Sequence, residues 1–324
     1  MLVFIIRRLM QSTVVLLAMS IIVFLGVYAI GNPVDILISP DATQIERAAA
    51  IHRLGLDQPL WQQYLYFLGN ALQGDLGRSF TTGDPALKMI FERMPATMEL
   101  AVTAVVIAIF LGIPLGMVAA FNYRKTTDRV ISGLSILGFS VPTFWQGMML
   151  ILIFGVSVKL LPPGGRGETG EIFGIRLSIL TWDGFTHIIL PALNLAIYKL
   201  CLLIRLSRAQ VRETVMQDYV KFAWAKGLSP FRVIGVHVLK NIMIPIITVI
   251  GMELGSVIAF AVITETIFAW PGMGKLIIDS IYVLDRPVIV AYLMIIVLMF
   301  IVINLVVDIL YSVLDPRIRL ESVK

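Results

Sequence analysis

The chain has 324 residues, 58% of them hydrophobic and only 15% charged, with a mean hydropathy of +0.90. A soluble domain carries roughly 25% charged residues, so this composition excludes an ordinary water-soluble globule and points to lipid as solvent. A single cysteine, Cys201, excludes an intrachain disulfide, His52, His187 and His237 have no metal-ligand spacing, and the net charge of +5 reflects cations at span ends, not nucleic-acid binding.

A hydrocarbon core of ~30 Å calls for about 20 apolar residues as helix, and backbone groups in lipid must pair within their own segment, which makes the spans helical. The first, 9–30, follows Arg7 and Arg8. It is longer than the ~7–15-residue apolar core of a signal peptide and no small-residue cleavage pattern follows, so 1–30 is read as a retained segment and span. In 31–96, Asp41-Ala-Thr-Gln44 predicts the start of a helix over 43–54, stopped at Gly55. Pro59 to Leu72 predicts a second helix rich in aromatics (Trp61, Tyr64, Tyr66, Phe67), as at a membrane interface. The core, 97–311, holds spans at 97–121, 130–158, 187–206, 241–264 and 288–311. Pro142, in Phe139-Ser-Val-Pro-Thr-Phe-Trp145, predicts a kink or tilt in the third of all six spans, static more than hinging. Pro162-Pro-Gly-Gly-Arg-Gly-Glu-Thr-Gly170 predicts turns, not a packed domain, in the outer loop 159–186. Segment 312–324 is the tail.

Six spans put both termini on one side. That side also carries Arg124, Lys125, Arg129, Arg205, Arg208, Arg212 and the cations of the 207–240 loop, well in excess of its acids. The positive-inside rule makes it the cytosol. On the other side, Gly272-Met-Gly274-Lys275 is not a phosphate loop. Ala269 stands where the first glycine belongs and Leu276 where Ser or Thr does.

The 207–240 loop is the most specific feature. A short helix across the membrane face can seat in a groove on another protein. Ala223 and Ala225 permit close approach, Gly227 allows a backbone conformation that side chains resist, and Leu228 follows it. Ser229 and Pro230 read as the cap and first residue of the next helix. Lys221, Lys226 and Arg232 offer charge to acidic groups or lipid phosphates.

Ionisable residues inside spans are costly and face cavities or partners. At 100° per residue, Glu253, Ser256, Phe260 and Thr264 share one side of the fifth span, and Gly251 and Gly255 lie on another. Glu253 is read either as a contact for a substrate's amino group or as a structural partner of Lys199. Asp308 is read as structural. Glu99, Glu265 and the turn residues Pro271, Gly272 and Gly274 are read as holding loops or a gate near the outer border.

Several blocks occur in order: Phe4-Ile-Ile-Arg-Arg-Leu9, Leu54-Gly-Leu-Asp-Gln-Pro-Leu60, Gly74-Asp-Leu-Gly-Arg-Ser-Phe80, Pro95-Ala-Thr-Met-Glu-Leu100, Ala223-Trp-Ala-Lys-Gly-Leu-Ser229, Glu265-Thr-Ile-Phe-Ala-Trp-Pro-Gly-Met-Gly274, and Asp308-Ile-Leu-Tyr311 with Asp315-Pro-Arg-Ile-Arg319. Along almost its whole length the chain resembles the B-type permease subunit of the bacterial dipeptide/oligopeptide/nickel ABC transporter family. It departs from the family at Ile30-Gly-Asn-Pro33 and Lys221-Phe-Ala223. The resemblance implies an all-α membrane protein of the type I importer kind in the bacterial inner membrane, not itself an enzyme. It implies a heterodimer with a C-type permease, two cytosolic ATPase subunits that dock on 207–240, and an extracytoplasmic solute-binding protein that delivers substrate. No cofactor is expected on this chain; ATP and Mg belong to the ATPases. The rival reading is an ion-gradient-driven secondary transporter using Glu253 and Asp308.

Overall fold

The computed structural model describes residues 2–29, 43–53 and 57–314. The predicted features at Asp41, Gly55, Ile30–Pro33 and Asp315–Arg319 lie outside these residues, as does most of the tail. The chain divides into two compact units, Met1–Met94 with Gly272–Val302, and Pro95–Pro271 with Ile303–Lys324.

In the first unit, α1 (Leu2–Ala29) is followed by α2 (Gln44–Arg53) and α3 (Leu60–Leu72). Thr43 and Glu46 cap α2 reciprocally: the Thr43 N–H donates to Glu46 Oε2 at 2.8 Å and the Glu46 N–H to Thr43 Oγ1 at 3.4 Å. Thr43 therefore caps α2. The aromatic helix α3 turns two of its rings onto α1. Tyr64 meets the Phe24 ring edge-on at 5.4 Å and its hydroxyl lies 2.8 Å from Ser20 Oγ, while Phe67 lies 5.8 Å from Phe24. Trp61 and Tyr66 stay exposed.

The Gly74–Phe80 block is a turn built around positive backbone angles at Gly74 and Gly77 (φ 81° and 91°), with the Gly77 N–H held by Asp75 Oδ1 at 2.8 Å. It is tied to buried Asp285, whose carboxylate accepts from Ser79 Oγ, from the Phe80 N–H at 3.0 Å and from Thr81 Oγ1 at 3.0 Å. Two further helices complete this unit. α10 (Met273–Tyr282) begins directly after Gly272 and buries Gly274 in its first turn, and α11 (Arg286–Leu314) follows Asp285.

In the second unit, α7 (Trp182–Val215) packs against α5 (Thr126–Ser140), α6 (Thr143–Leu150) and α9 (Leu239–Ile267). Helix α4 (Ala86–Phe121) approaches α7 closely through Gly112 and Gly116. A Cβ on Gly116 would sit 2.6 Å from the Ile204 carbonyl oxygen and 2.7 Å from Ser207 Cβ. Small residues at four-residue spacing let helix backbones meet where no water drives them together. Helix α4 starts well before the predicted span and absorbs the end of the 31–96 segment, with Pro95 and Pro114 inside it.

The third predicted span is corrected most. It is not one kinked helix but α5 and α6 meeting at 108°. Pro142 has no N–H to donate and forces Val141 into an extended backbone (φ −85°, ψ 132°), so α5 ends at Ser140. Gln146 Nε2 takes up the freed carbonyls of Gly138 and Val141, at 2.8 and 3.0 Å. Helix α6 then continues as a π-helical segment, Ile151–Ser157. Among the described residues, Ala86–Phe121, Trp182–Val215, Pro245–Ile267 and Arg286–Val307 are long and apolar enough to cross a membrane, and α5 with α6 makes a fifth if counted as one span. The apolar stretch Met10–Gly26 of α1 is shorter.

Asp285→Ala leaves the Phe80 N–H and two hydroxyls without their acceptor, an expected loss of about 1–3 kcal/mol. Thermal unfolding in detergent and hydrogen exchange at Phe80 check it; an unchanged midpoint with unchanged exchange contradicts the tether.

Candidate functional site

Three places in the second unit hold most of the residues singled out by sequence; Gly272 and Gly274 lie in the first unit. The first is the 207–240 loop. Helix α8 (Asp218–Ala225) ends in a Schellman motif: the Gly227 N–H donates to the Trp224 carbonyl at 2.9 Å and the Leu228 N–H to the Ala223 carbonyl at 3.3 Å, with Gly227 at φ 71°. The left-handed angle is the whole reason for glycine here, since a Cβ would meet nothing within 4 Å. Ser229 stands at the N-cap of the turn Pro230–Arg232 with no side-chain hydrogen bond, and Pro230 is its first residue. A π-helical segment, Val233–Val238, leads into α9.

The two alanines differ, since Ala225 is exposed. Ala223 is buried with Val220 against the chain itself, so its small side chain serves internal packing. The faces left open are aromatic: Tyr219, Phe222, Trp224 and, beyond the turn, Phe231, which is 90% exposed. Lys226 Nζ lies 4.6 Å from the Phe222 ring centroid and Lys221 Nζ 3.1 Å from Asp218 Oδ1. The aromatic residues were visible in the sequence, but only the burial of Val220 and Ala223 shows that they form the open face.

The second place is a cavity of about 350 Å³ between α6, α7 and α9. Its wall brings together Lys199, Glu253, Ser256, Phe260 and Thr264. Lys199 Nζ donates to Glu253 Oε2 and, at 2.7 Å, to Ser256 Oγ; Ser256 Oγ in turn lies 2.9 Å from Glu253 Oε2. The ion pair is therefore present, and it lines the cavity as well. Asn194, Tyr198 and Thr143 also line it and were missed, because a polar residue in an apolar helix shows its facing only once neighbouring helices are placed.

The third place lies around Ala96, Thr97 and Glu99 of α4. Glu99 accepts from Arg166 Nη2 at 2.8 Å and from the Ile179 N–H at 2.9 Å, and Glu265, fully buried, accepts from Thr97 Oγ1 at 2.6 Å. Trp270 Nε1 donates to the Ala96 carbonyl at 3.0 Å. The glycine-rich segment consists of turns, as expected, and these turns lie against the end of α9. The Gly165 N–H donates to the Phe268 carbonyl at 2.8 Å, and a Cβ on Gly164 would lie 2.6 Å from that same oxygen. A hairpin, β1 (Gly170–Ile172) and β2 (Ile175–Leu177), turns at Phe173 and Gly174, both at positive φ. Its strands are three residues each, too short for alternation to be read. Asp308 lies in α11, in a turn whose side chains are not described. Pro271 follows Trp270 at the end of this unit.

Residues 112–320 match the family model of the binding-protein-dependent transport system inner membrane component, and residues 1–101 match the model of its N-terminal part. The chain belongs to this family. It is 38% identical to the dipeptide transport system permease protein DppB of Escherichia coli K12, over 98% of this chain and 99% of that one. It is 40% identical to the di/tripeptide permease protein DppB of Pseudomonas aeruginosa (89% and 90%), and 37% identical to the oligopeptide permease protein AppB of Bacillus subtilis (98% and 99%). The fold is similar to that of the MetNI methionine ABC transporter in an inward-facing form, with a TM-score of 0.54 at 12% identity over 70% of this chain and 96% of that one. These matches overturn the ion-driven transporter as an alternative. A family member is a transport permease, not an enzyme.

Losing one partner of the buried Glu99–Arg166 pair is expected to cost about 3–5 kcal/mol, and replacing both by apolar residues to restore most of it. Unfolding midpoints of Glu99→Leu, Arg166→Met and the double variant check this; additive losses contradict it.

Proposed function

We propose that this chain is the membrane-spanning subunit of an ATP-driven importer of peptides. It spans the inner membrane six times, with α1, α4, the α5–α6 pair, α7, α9 and α11 as spans and both termini in the cytosol. It forms half of the pathway, a C-type permease forms the other half, and a solute-binding protein delivers substrate from outside. Two cytosolic ATPase subunits, carrying ATP and Mg, dock on the 207–240 loop. Their closure moves α8, and the spans open to the alternate side. The cation excess around the loop supports the orientation. The relatives named for dipeptides, di/tripeptides and oligopeptides support the substrate class.

The observation that carries the docking reading is α8 itself. A short helix whose C-terminus is fixed by Gly227 anchors Val220 and Ala223 inward and holds Phe222 and Trp224 outward. Exposed aromatics with adjacent cations suit a groove on another protein. In this reading Lys199, Glu253, Ser256, Phe260 and Thr264 line the pathway. Glu99, Glu265, Pro271, Gly272 and Gly274 hold the outer loops, and Pro142 fixes the break in the third span.

A side chain at Gly227 meets a backbone cost of about 1–2 kcal/mol. Gly227→Asp is expected to leave membrane insertion unchanged, to abolish recovery of ATPase subunits with the tagged chain, and to lower uptake at least tenfold. Wild-type uptake from wild-type amounts of Gly227→Asp complex rejects the docking site.

A further inference from the structure

The turn between α4 and α5, residues 122–125, meets the end of α7 at a cluster of cations. Tyr123 is its centre. The guanidinium carbon of Arg212 lies 3.5 Å from the Tyr123 ring centroid, that of Arg124 5.3 Å and that of Arg208 5.6 Å. Asp128, buried at the start of α5, accepts from Arg208 Nε at 2.6 Å and Nη2 at 2.9 Å, from the Arg124 N–H at 3.0 Å and from Ser132 Oγ at 3.2 Å. Its two oxygens are committed by these contacts, and the guanidinium they neutralise is that of Arg208. Among the described residues, no carboxylate forms an ion pair with Arg124 or Arg212. The positive-inside rule explains why cations gather on this side, but it does not call for three of them on one ring. Like charges this close repel, and an anion that bridges them relieves the repulsion. The Tyr123 phenol senses the same field: a hydrogen bond from Arg124, and then the charge of Arg212, hold it below its ordinary pKa.

We propose that the arginines around Tyr123 form a binding site for the headgroup phosphate of an anionic phospholipid in the cytosolic leaflet. The proposal rests on the reading that places this end of α7 in the cytosol. Guanidinium forks match phosphate oxygens in pairs, and basic pockets between spans on the cytosolic side take anionic headgroups. The backbone supports the site. Gly116, where a Cβ would sit 2.6 Å from the Ile204 carbonyl oxygen, holds α4 against α7 two turns before Tyr123. Arg124 takes a left-handed angle, φ 64°, which glycine adopts at less cost; what the arginine adds there is a charge beside the ring. Apolar surface adjoins the cations, since Leu115, Val118 and Phe121 of α4 and Val130 and Leu134 of α5 are exposed. Charge for a headgroup and apolar surface for its tails therefore occur on the same two helices, which favours a lipid over a free anion. Arg212 stands in the last turn of α7 and α8 begins at Asp218, so a bound headgroup braces the base of the docking loop.

The test uses the chain with its partner subunits, reconstituted in vesicles of equal phosphatidylglycerol and phosphatidylcholine, and native mass spectrometry of the lipid it retains. Preferential retention of phosphatidylglycerol by the unaltered complex is expected. At about fivefold per cation, Arg124→Gln with Arg212→Gln is expected to lower that preference by at least about tenfold. Arg317→Gln with Arg319→Gln, which removes the same charge from the tail, is expected to leave it unchanged; an equal fall in the tail variant overturns the site. Equal retention of the two lipids by the unaltered complex also overturns it, and that comparison stands even where a variant fails to assemble. Displacement of phosphatidylglycerol by inorganic phosphate marks a free-anion site and overturns the lipid assignment. A double variant that keeps the lipid preference but loses its ATPase subunits assigns the two arginines to a protein contact and overturns it as well. Absence of ATPase subunits from the unaltered preparation rejects the permease reading, while lipid retention by the same preparation still decides this site.

Discussion

Polar groups inside an apolar medium have no water to fall back on, and each must be paired by the protein. Much of the second unit follows from this. Glu99 is matched by Arg166 and a backbone N–H, Glu265 by Thr97, and Lys199 by Glu253 and Ser256. Asp128, at the start of α5, is matched by Arg208 through two contacts of 2.6 and 2.9 Å. Each pair joins segments far apart in sequence. Meeting the electrostatic demand therefore also fixes which helices are neighbours.

Backbone groups obey the same rule, and it shapes the irregular parts. The break at Pro142 frees carbonyls that Gln146 collects, so a sharp bend becomes a stable corner. The glycine-rich segment lies close enough to the end of α9 for Gly165 to donate to the Phe268 carbonyl, and Gly164 leaves no room for a Cβ. Close approach of α4 to α7 at Gly112 and Gly116 has the same logic, since backbone contact replaces the hydrophobic drive that lipid does not supply.

These fixed parts frame helix α8 and the cavity. Helix α8 is short, capped at one end by a left-handed glycine and anchored by two buried residues, with its aromatic face outward. The cavity behind it along α7 holds an ion pair whose partners are both within reach of open space. Asp128–Arg208 lies between these levels on α7 and couples the start of α5 to the stretch leading toward the loop.

The sequence by itself determined the class. Apolar runs of membrane length, the cation bias and the block at Ala223–Ser229 are local properties, and they survive into α4, α7, α9, α11 and α8 nearly as read. Glycine at 227 was legible because a helix stop leaves a local mark. Element ends were less so: α4 begins at Ala86, since amphipathic helix continues past the apolar run. Only tertiary structure decided the 108° corner at Pro142, because proline announces a break but not its angle, which Gln146 and the neighbouring helices set. It also decided that Ala223 faces inward and that Asn194 lines the cavity, since facing depends on what packs alongside. The joining of Glu253 to Lys199, 54 residues apart in the chain, was one of two readings from sequence. The pairing was settled by the packing of α7 on α9, which brings the two charges within contact in a medium where neither is stable alone.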